Sequence, residues 1–226
     1  MKTLKKIWWR LLFASYALVY LPWFFFLESK ITMDYPNLHI INGPLDDMIP
    51  FCEVFIIPYF LWFAYIVASC VIMVLKADNQ EFIRFALSLI IGMSLCMAIC
   101  MVYPNGLTLR PDTLPDNVFG RLVAGLYATD TPTNVFPSIH VYNSIAVHTA
   151  LSKCKALKNH KGLLTGSLIL CILICMSTVF LKQHSLYDVG GAFVLMGVMY
   201  YVLYILPERR AQRQAENEKH YASADE

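Results

Sequence analysis

Long apolar runs separated by short polar connections dominate the chain. A helix needs about 20 apolar residues to cross the hydrocarbon core of a bilayer. The pattern predicts six membrane-spanning helices, at roughly 8–27, 51–75, 83–103, 137–152, 163–181 and 189–206. The fourth run is short, and we expect its first turn to begin at the lipid surface. The predicted fold is therefore an all-α, polytopic membrane protein built as a bundle of six transmembrane helices.

The first run follows the basic segment MKTLKKIWWR, which is also how a secretory signal peptide begins. Its apolar segment LLFASYALVYLPWFFFL exceeds the roughly 7–15 residues of a signal-peptide core, and no small-residue cleavage site follows it. We therefore expect a retained anchor. Residues 1–206 are predicted to form one membrane domain, followed by a polar cytoplasmic tail at 207–226.

Lysine and arginine predict the orientation, because they concentrate in cytoplasmic connections. With six spans, the basic clusters fall on one side of the membrane: Lys2, Lys5, Lys6, Lys76, Arg84, Lys153, Lys155, Lys158, Lys161, Arg209, Arg210 and Arg213. Both termini are then cytoplasmic. The connections 28–50, 104–136 and 182–188 face outside. Within 104–136, apolar residues recur at helical spacing over 118–127, which predicts a short helix that either lies in the membrane interface or packs on the bundle.

Composition agrees with a membrane protein, since 58% of the residues are hydrophobic against about 45–50% in soluble domains. The net charge of +2 gives no indication of a nucleic-acid partner. Six of the seven cysteines lie in or beside apolar runs, and none has the spacing of a metal site or a disulfide framework. We expect no metal and no cofactor. The oligomeric state is left open.

The segment NVFPSIH, residues 134–140, has the features of a helix start. Proline is favoured at the first helical position after a capping side chain, here Asn134 or Thr133. The amides of residues 138–140 are then free donors at a positive helix end, which is an arrangement that binds phosphate. Ser138 adds a hydroxyl group and His140 lies one turn into the helix. The alternative is an ordinary helix start with an incidental histidine.

The segment KQHSLYD, residues 182–188, fills a second outer connection. His184 and Asp188 are four residues apart and share one face on helical geometry. A carboxylate bonded to one ring nitrogen fixes the tautomer and leaves the other nitrogen as a nucleophile. Lys182 adds a cation nearby. The alternative is a polar turn between two spans.

A third element is Arg110-Pro111, because an arginine side chain can bind two phosphate oxygens at once. The order RP, PSxH and HxxxD resembles the signature of the type 2 phosphatidic acid phosphatase superfamily. The stretches FPSIH and STVFLKQH are most similar to the branch that includes bacterial lipid phosphatases and inositol phosphorylceramide synthases. The resemblance covers roughly residues 45–206.

The resemblance implies a catalytic set with His184 as nucleophile, Asp188 as its orienting acid and His140 as general acid. It implies phosphate contacts from Arg110 and Ser138, and Lys182 is a candidate for a further one. Two cations of the family pattern are absent, because Tyr103 and Thr178 stand where a lysine and an arginine are expected. Arg121 is a possible replacement.

The expected activity is hydrolysis of lipid phosphates or polyprenyl diphosphates through a phosphohistidine, without a metal, at the extracytoplasmic face of a bacterial plasma membrane. Two alternatives stay open. A lipid phosphotransferase would use the same histidines with an alcohol in place of water. A non-catalytic membrane protein would show charged residues midway through spans or broken half-helices in repeated halves, and neither is clear.

Overall fold

A computed structural model describes the backbone of residues 2–224 and the side chains of residues 7–217. The helices are α1 Lys2–Leu11, α2 Ala17–Lys30, α3 Pro44–Met48, α4 Ile56–Lys76, α5 Asn79–Val102, α6 Val118–Thr129, α7 Ile139–Lys153, α8 Lys161–Phe180, α9 Leu186–Tyr200 and α10 Leu206–Ala224. Short 3-10 segments cover Leu12–Tyr16, Glu53–Phe55 and Lys155–Leu157, and a π-helical turn covers Tyr201–Ile205. Two short strands, β1 His39–Ile40 and β2 Asn105–Gly106, pair in parallel.

Within the described residues, five helical segments are long and apolar enough to cross a membrane: Ile7–Lys30, Glu53–Lys76, Asn79–Val102, Lys161–Phe180 and Leu186–Asn217. They coincide with the first, second, third, fifth and sixth predicted runs. The prediction of a helical membrane protein is confirmed to this extent, whereas the count of six spans and the cytoplasmic termini stay predictions. The predicted tail is helical as far as Ala224, and residues 225 and 226 lie outside the described residues.

The fourth predicted run corresponds to α7, which has 15 residues. At 1.5 Å per residue such a helix is about 22 Å long, against about 30 Å for the hydrocarbon core. Helix α7 contacts α4, α5, α8 and α9, and Asn143 and Ser144 are buried in it. A helix surrounded by other helices faces little lipid, so it can carry polar residues that a lipid-facing helix excludes.

Two glycines allow other side chains to approach the helix backbone closely. A Cβ atom on Gly92 of α5 would lie 2.0 Å from Cζ of Tyr142 on α7, so only glycine admits the tyrosine ring there. A Cβ atom on Gly191 of α9 would lie 2.5 Å from Cε2 of Phe136, just before α7. Both contacts draw a neighbouring helix towards the central α7.

Helix α6 confirms the helix predicted over 118–127. Its buried residues Val123 and Leu126 pack against Ile56 and Tyr59 of α4. Part of the apolar face of α6 is therefore covered by protein, whereas Val118 and Leu122 on the same helix are exposed, and the two alternatives for this helix stay open.

Arg10 links the end of α1 to the end of α4. Its side chain is fully buried, and its guanidinium donates to the carbonyl oxygens of Val74 (2.7 Å) and Ala77 (3.0 Å) and to Asn79 Oδ1 (3.0 Å). The last carbonyls of a helix lack partners within the helix and carry partial negative charge. Arg10 therefore caps α4 at its C-terminal end.

Replacing Arg10 with alanine is expected to lower the free energy of unfolding by about 2–4 kcal/mol, because several charge-assisted hydrogen bonds in a buried site are lost together. Unfolding in mixed micelles measures this change. Arg121→Ala is the control, since Arg121 makes an exposed ion pair with Asp116 and should change stability by less than about 1 kcal/mol. Equal losses for the two variants would contradict a capping role for Arg10.

Candidate active site

The turn that carries His184 is shaped by the end of α8. The Gln183 N–H donates to the Thr178 carbonyl and the Lys182 N–H to the Val179 carbonyl, both at 3.0 Å. This pair of bonds is a Schellman motif, which usually has glycine at its left-handed position. Here Lys182 occupies that position with φ 53°. The chain consequently reverses directly after α8 and presents His184 at the end of the bundle.

A capping box at the start of α9 brings Asp188 to His184. Ser185 Oγ accepts from the Asp188 N–H at 3.2 Å, and Asp188 Oδ2 accepts from the Ser185 N–H at 2.8 Å. The same Oδ2 atom lies 3.3 Å from Nδ1 of His184. Because α9 begins at Leu186, the two side chains do not meet on a helix face as predicted. The pattern Ser-x-x-Asp is the sequence signal for this cap.

Helix α7 begins later than predicted. Its N-cap is Ser138, whose Oγ accepts from the Val141 N–H at 3.4 Å, so the predicted cap at Asn134 or Thr133 is wrong. The Ser138 N–H donates to the Asp188 carbonyl at 3.1 Å. The amide of Ser138 is therefore not free for phosphate, and it instead joins the start of α7 to the start of α9.

His140 faces His184. Nδ1 of His140 lies 3.4 Å from Nε2 of His184, and the ring centroids are 5.6 Å apart. The rings of Tyr59 and Trp62 lie 4.8 Å and 4.5 Å from the His140 ring. Asp188, His184 and His140 thus form a continuous chain of polar contacts, and the two aromatic rings hold His140 in place.

The two histidines line a cavity of about 340 Å³ between α2, α4, α6 and the start of α7. Seven aromatic side chains contribute to its wall: Tyr20, Phe24, Phe25, Tyr59, Phe60, Trp62 and Phe63. Its charged lining residues are the carboxylates Glu28 and Asp130. Of the described residues, no lysine or arginine contributes to the lining.

Arg110 lies behind this cavity. Its guanidinium donates to the carbonyl oxygens of Tyr127 (3.2 Å) and Asp130 (2.6 Å) and to Gln183 Oε1, and it lies 4.2 Å above the Tyr127 ring. Burial lowers the pKa of Arg110 from its ordinary value, although the negative charge of Asp130 opposes this shift. Arg110 does not itself line the cavity, but it is hydrogen-bonded to Asp130 and Gln183, which do.

The structure does not bring Lys182 or Ser138 into the cavity wall. Lys182 is buried, and its ammonium group donates to the carbonyl oxygens of Asp46 and Ile49, both at 2.6 Å. Ser138 is fully buried and caps α7. Arg121 is paired with Asp116 at the surface.

Tyr103 and Thr178, which stand where the family pattern has a lysine and an arginine, make other contacts. The Tyr103 ring stacks on His39 with centroids 4.2 Å apart. The carbonyl of Thr178 accepts the amides of Gln183 and His184, both at 3.0 Å.

Asp46 supports the His184 turn, and sequence reasoning missed this role. Asp46 is buried, its Oδ1 accepts from the Leu186 N–H at 2.7 Å, and its Oδ2 accepts from the Gly43 N–H at 2.9 Å. Together with the bonds from Lys182, these contacts tie the loop around α3 to the turn that carries His184.

The family model of the PAP2 superfamily matches residues 81–212, which is more than half of the chain. No curated protein and no solved structure matches the chain. The chain belongs to the PAP2 superfamily. This confirms the resemblance at the level of the superfamily, while the branch stays a prediction.

Members of the PAP2 superfamily are generally phosphatases or related phosphotransferases. Membership and the apolar helices together indicate a membrane protein of phosphatase type that acts on lipid phosphates in a bilayer. The matched region includes α7, α8 and α9. The segments that carry both histidines therefore lie within it.

The Asp46→Asn variant is expected to lower the free energy of unfolding by about 1–3 kcal/mol. The carboxylate accepts hydrogen bonds from two backbone N–H groups, and in the variant one of these groups faces the NH₂ of the asparagine side chain instead of an acceptor. Asp47→Asn is the matched control, since Asp47 is the exposed neighbour in the same helix and should stay within about 0.5 kcal/mol of the wild type. Thermal unfolding in detergent measures both. Similar values for the two variants would show that Asp46 does not hold the turn.

Proposed function

We propose that this protein is an integral-membrane phosphatase that hydrolyses lipid phosphates or polyprenyl diphosphates through a phosphohistidine intermediate. The observation that carries the proposal is the chain Asp188–His184–His140 beside a cavity of about 340 Å³ that is lined largely by apolar side chains. A nucleophile whose second ring nitrogen is held by a carboxylate is the arrangement that activates histidine.

In the first step, Nε2 of His184 attacks phosphorus. The proton on Nδ1 of His184 stays on that nitrogen and is hydrogen-bonded to the Asp188 carboxylate. A nitrogen–phosphorus bond forms and the bond from phosphorus to the lipid oxygen breaks. His140, which lies beside Nε2 of His184, donates a proton to the departing oxygen. The leaving group is the lipid alcohol when the substrate is a lipid monophosphate, and the polyprenyl monophosphate when the substrate is a diphosphate. In both cases it leaves with the proton from His140.

In the second step, His140 has lost its proton and acts as a base. It accepts a proton from a water molecule, whose oxygen attacks phosphorus on the opposite side from His184. The nitrogen–phosphorus bond breaks and inorganic phosphate leaves. One histidine thus serves first as acid and then as base, as microscopic reversibility of the two half-reactions requires.

Donors for the equatorial phosphate oxygens come from the wall of the cavity. The Ile139 and His140 amides belong to the first turn of α7, where N–H groups lack partners within the helix and carry partial positive charge. The Trp62 indole N–H is buried without a hydrogen-bond partner among the described residues. All three residues line the cavity. Phosphoryl transfer depends mainly on such positioned donors, so the proposed reaction needs no metal.

We assign Arg110, Ser138 and Lys182 to the same phosphate site in supporting roles. Arg110 orients Gln183 next to His184, Ser138 caps the helix whose amides face the substrate, and Lys182 anchors the turn. These contacts are the support for the assignment. The positive charges of Arg110 and Lys182 also favour an anion in the neighbouring cavity.

We further propose that residues 1–206 form one membrane domain and that the site faces the extracytoplasmic side of a bacterial plasma membrane. The support is the distribution of lysine and arginine, which places the connections at 104–136 and 182–188 opposite the basic clusters. The substrate would then enter from the outer leaflet.

Replacing His184 with alanine is expected to lower phosphate release from phosphatidic acid or undecaprenyl diphosphate by about 10³-fold or more, because the nucleophile is lost. The assay uses purified protein in detergent with EDTA present. His148→Ala is the control: it removes a histidine of α7 that contacts Ser167 rather than the cavity, and it should keep nearly full activity.

Radiolabelled substrate should also leave an acid-labile label on the wild-type protein and none on the His184→Ala variant. Full activity of His184→Ala, or loss of wild-type activity in EDTA, would contradict the mechanism. A new phospholipid formed in place of inorganic phosphate when an alcohol acceptor is added would instead identify a lipid phosphotransferase, which the apolar cavity beside the histidines can also accommodate.

A further inference from the structure

The charge on the wall of the cavity is unexpected for a site that binds only phosphate. Its charged lining residues are Glu28 and Asp130, and among the described residues no lysine or arginine lines it. Carboxylates repel a phosphate dianion, and the repulsion is stronger in a poorly hydrated cavity than in water. This wall therefore favours a ligand that carries a positive group beside its phosphate over a ligand with phosphate alone.

Glu28 is fixed by residues that precede α7. Its Oε1 accepts from Asn134 Nδ2 at 2.9 Å and its Oε2 accepts from Thr131 Oγ1 at 2.5 Å. Each donor is a neutral side chain, so the negative charge of Glu28 is solvated by hydrogen bonds but is not neutralised by a salt bridge within 4 Å among the described residues. Its position is set before any ligand arrives.

Asp130 has a different environment. The Tyr59 hydroxyl (2.8 Å) and Gln183 Nε2 (3.2 Å) both donate to its Oδ2. None of the described residues donates to its Oδ1. The Arg110 guanidinium binds the Asp130 backbone carbonyl from behind, so its charge offsets one of the two carboxylates. One negative charge on the cavity side stays uncompensated.

The remaining wall is aromatic. Tyr59 and Trp62 pack on His140, and Phe24, Phe60 and Phe63 also line the cavity. The faces of aromatic rings attract cations, and most strongly when the cation is desolvated. Carboxylates combined with aromatic faces are the chemistry that recognises an organic ammonium group.

We propose that this cavity binds the ammonium group of a zwitterionic phospholipid head group, with Glu28 as its counter-ion, Asp130 as a second carboxylate contact and the aromatic rings around it. The inference rests on the proposed function only for the position of the phosphate beside His184. The ammonium group supplies, from the ligand itself, positive charge that the described residues do not place on the cavity wall.

A binding measurement on the full chain tests this inference separately from catalysis. The His184→Ala variant in maltoside micelles prevents turnover by the proposed mechanism, and Trp62 fluorescence reports occupancy because its ring lines the cavity. The probes are dioctanoyl phosphatidylcholine, phosphatidylethanolamine and phosphatidic acid. The Trp62→Phe variant gives the background from the other three tryptophans, Trp8, Trp9 and Trp23.

The expected result is that phosphatidylcholine, phosphatidylethanolamine or both bind at least about 10-fold more tightly than phosphatidic acid, which corresponds to about 1.4 kcal/mol. Tighter phosphatidylcholine would indicate that ring faces dominate, and tighter phosphatidylethanolamine would indicate that hydrogen bonds to the carboxylates dominate. Glu28→Gln should remove most of the preference while leaving phosphatidic acid bound as well or better. Glu53→Gln, which changes a carboxylate outside the cavity that binds Asn117, should leave the preference intact.

Equal or tighter binding of phosphatidic acid would overturn the proposal, as would an unchanged preference in Glu28→Gln with Trp62 still reporting binding. Quenching by MgCl₂ without any by the zwitterionic lipids would overturn it in favour of a metal site. A protein that binds the zwitterionic lipids but shows no His184-dependent phosphate release would retain this inference and lose the proposed mechanism.

Discussion

The Asp188 carboxylate and carbonyl form the junction on which the rest of the site depends. Oδ2 accepts from Ser185 and contacts His184, while the backbone carbonyl accepts from Ser138 at the start of α7. A single buried residue thereby joins both segments that carry histidines. Since a buried carboxylate is costly unless hydrogen bonds compensate it, the local fold of α9 and the position of the His184 ring are coupled.

The surrounding bundle keeps this junction in place. Helix α7 lies at its centre, and Tyr142 locks against Gly92 so that α5 and α7 cannot separate without opening a void. On the other side, Asp46 and Lys182 connect the loop around α3 to the turn after α8. The cavity lies between the start of this short central helix and α2, α4 and α6.

Three cations of this chain bind backbone carbonyl oxygens. Arg110 and Lys182 donate to backbone carbonyls, as Arg10 does at the far end of α4. Such contacts satisfy backbone carbonyls at helix ends and in loops. The charged groups on the cavity wall are therefore carboxylates, and aromatic rings surround them. The absence of the family cations at Tyr103 and Thr178 thus agrees with the positively charged head group that we infer.

Local patterns in the sequence determined much of this protein. Apolar runs predicted six spanning helices, and five of them coincide with helices of spanning length among the described residues. The short motifs at 134–140 and 182–188 predicted which histidines lie close to each other. The side-chain directions of Lys182 and Arg110 were not predictable, because they depend on carbonyls contributed by distant loops. Glu28 and Asp130 are about half of the chain's length apart in the sequence. Only tertiary packing places both side chains on the wall of one cavity. Hydropathy and spacing act within a segment, whereas the charge of a cavity is the sum over segments that meet only after folding.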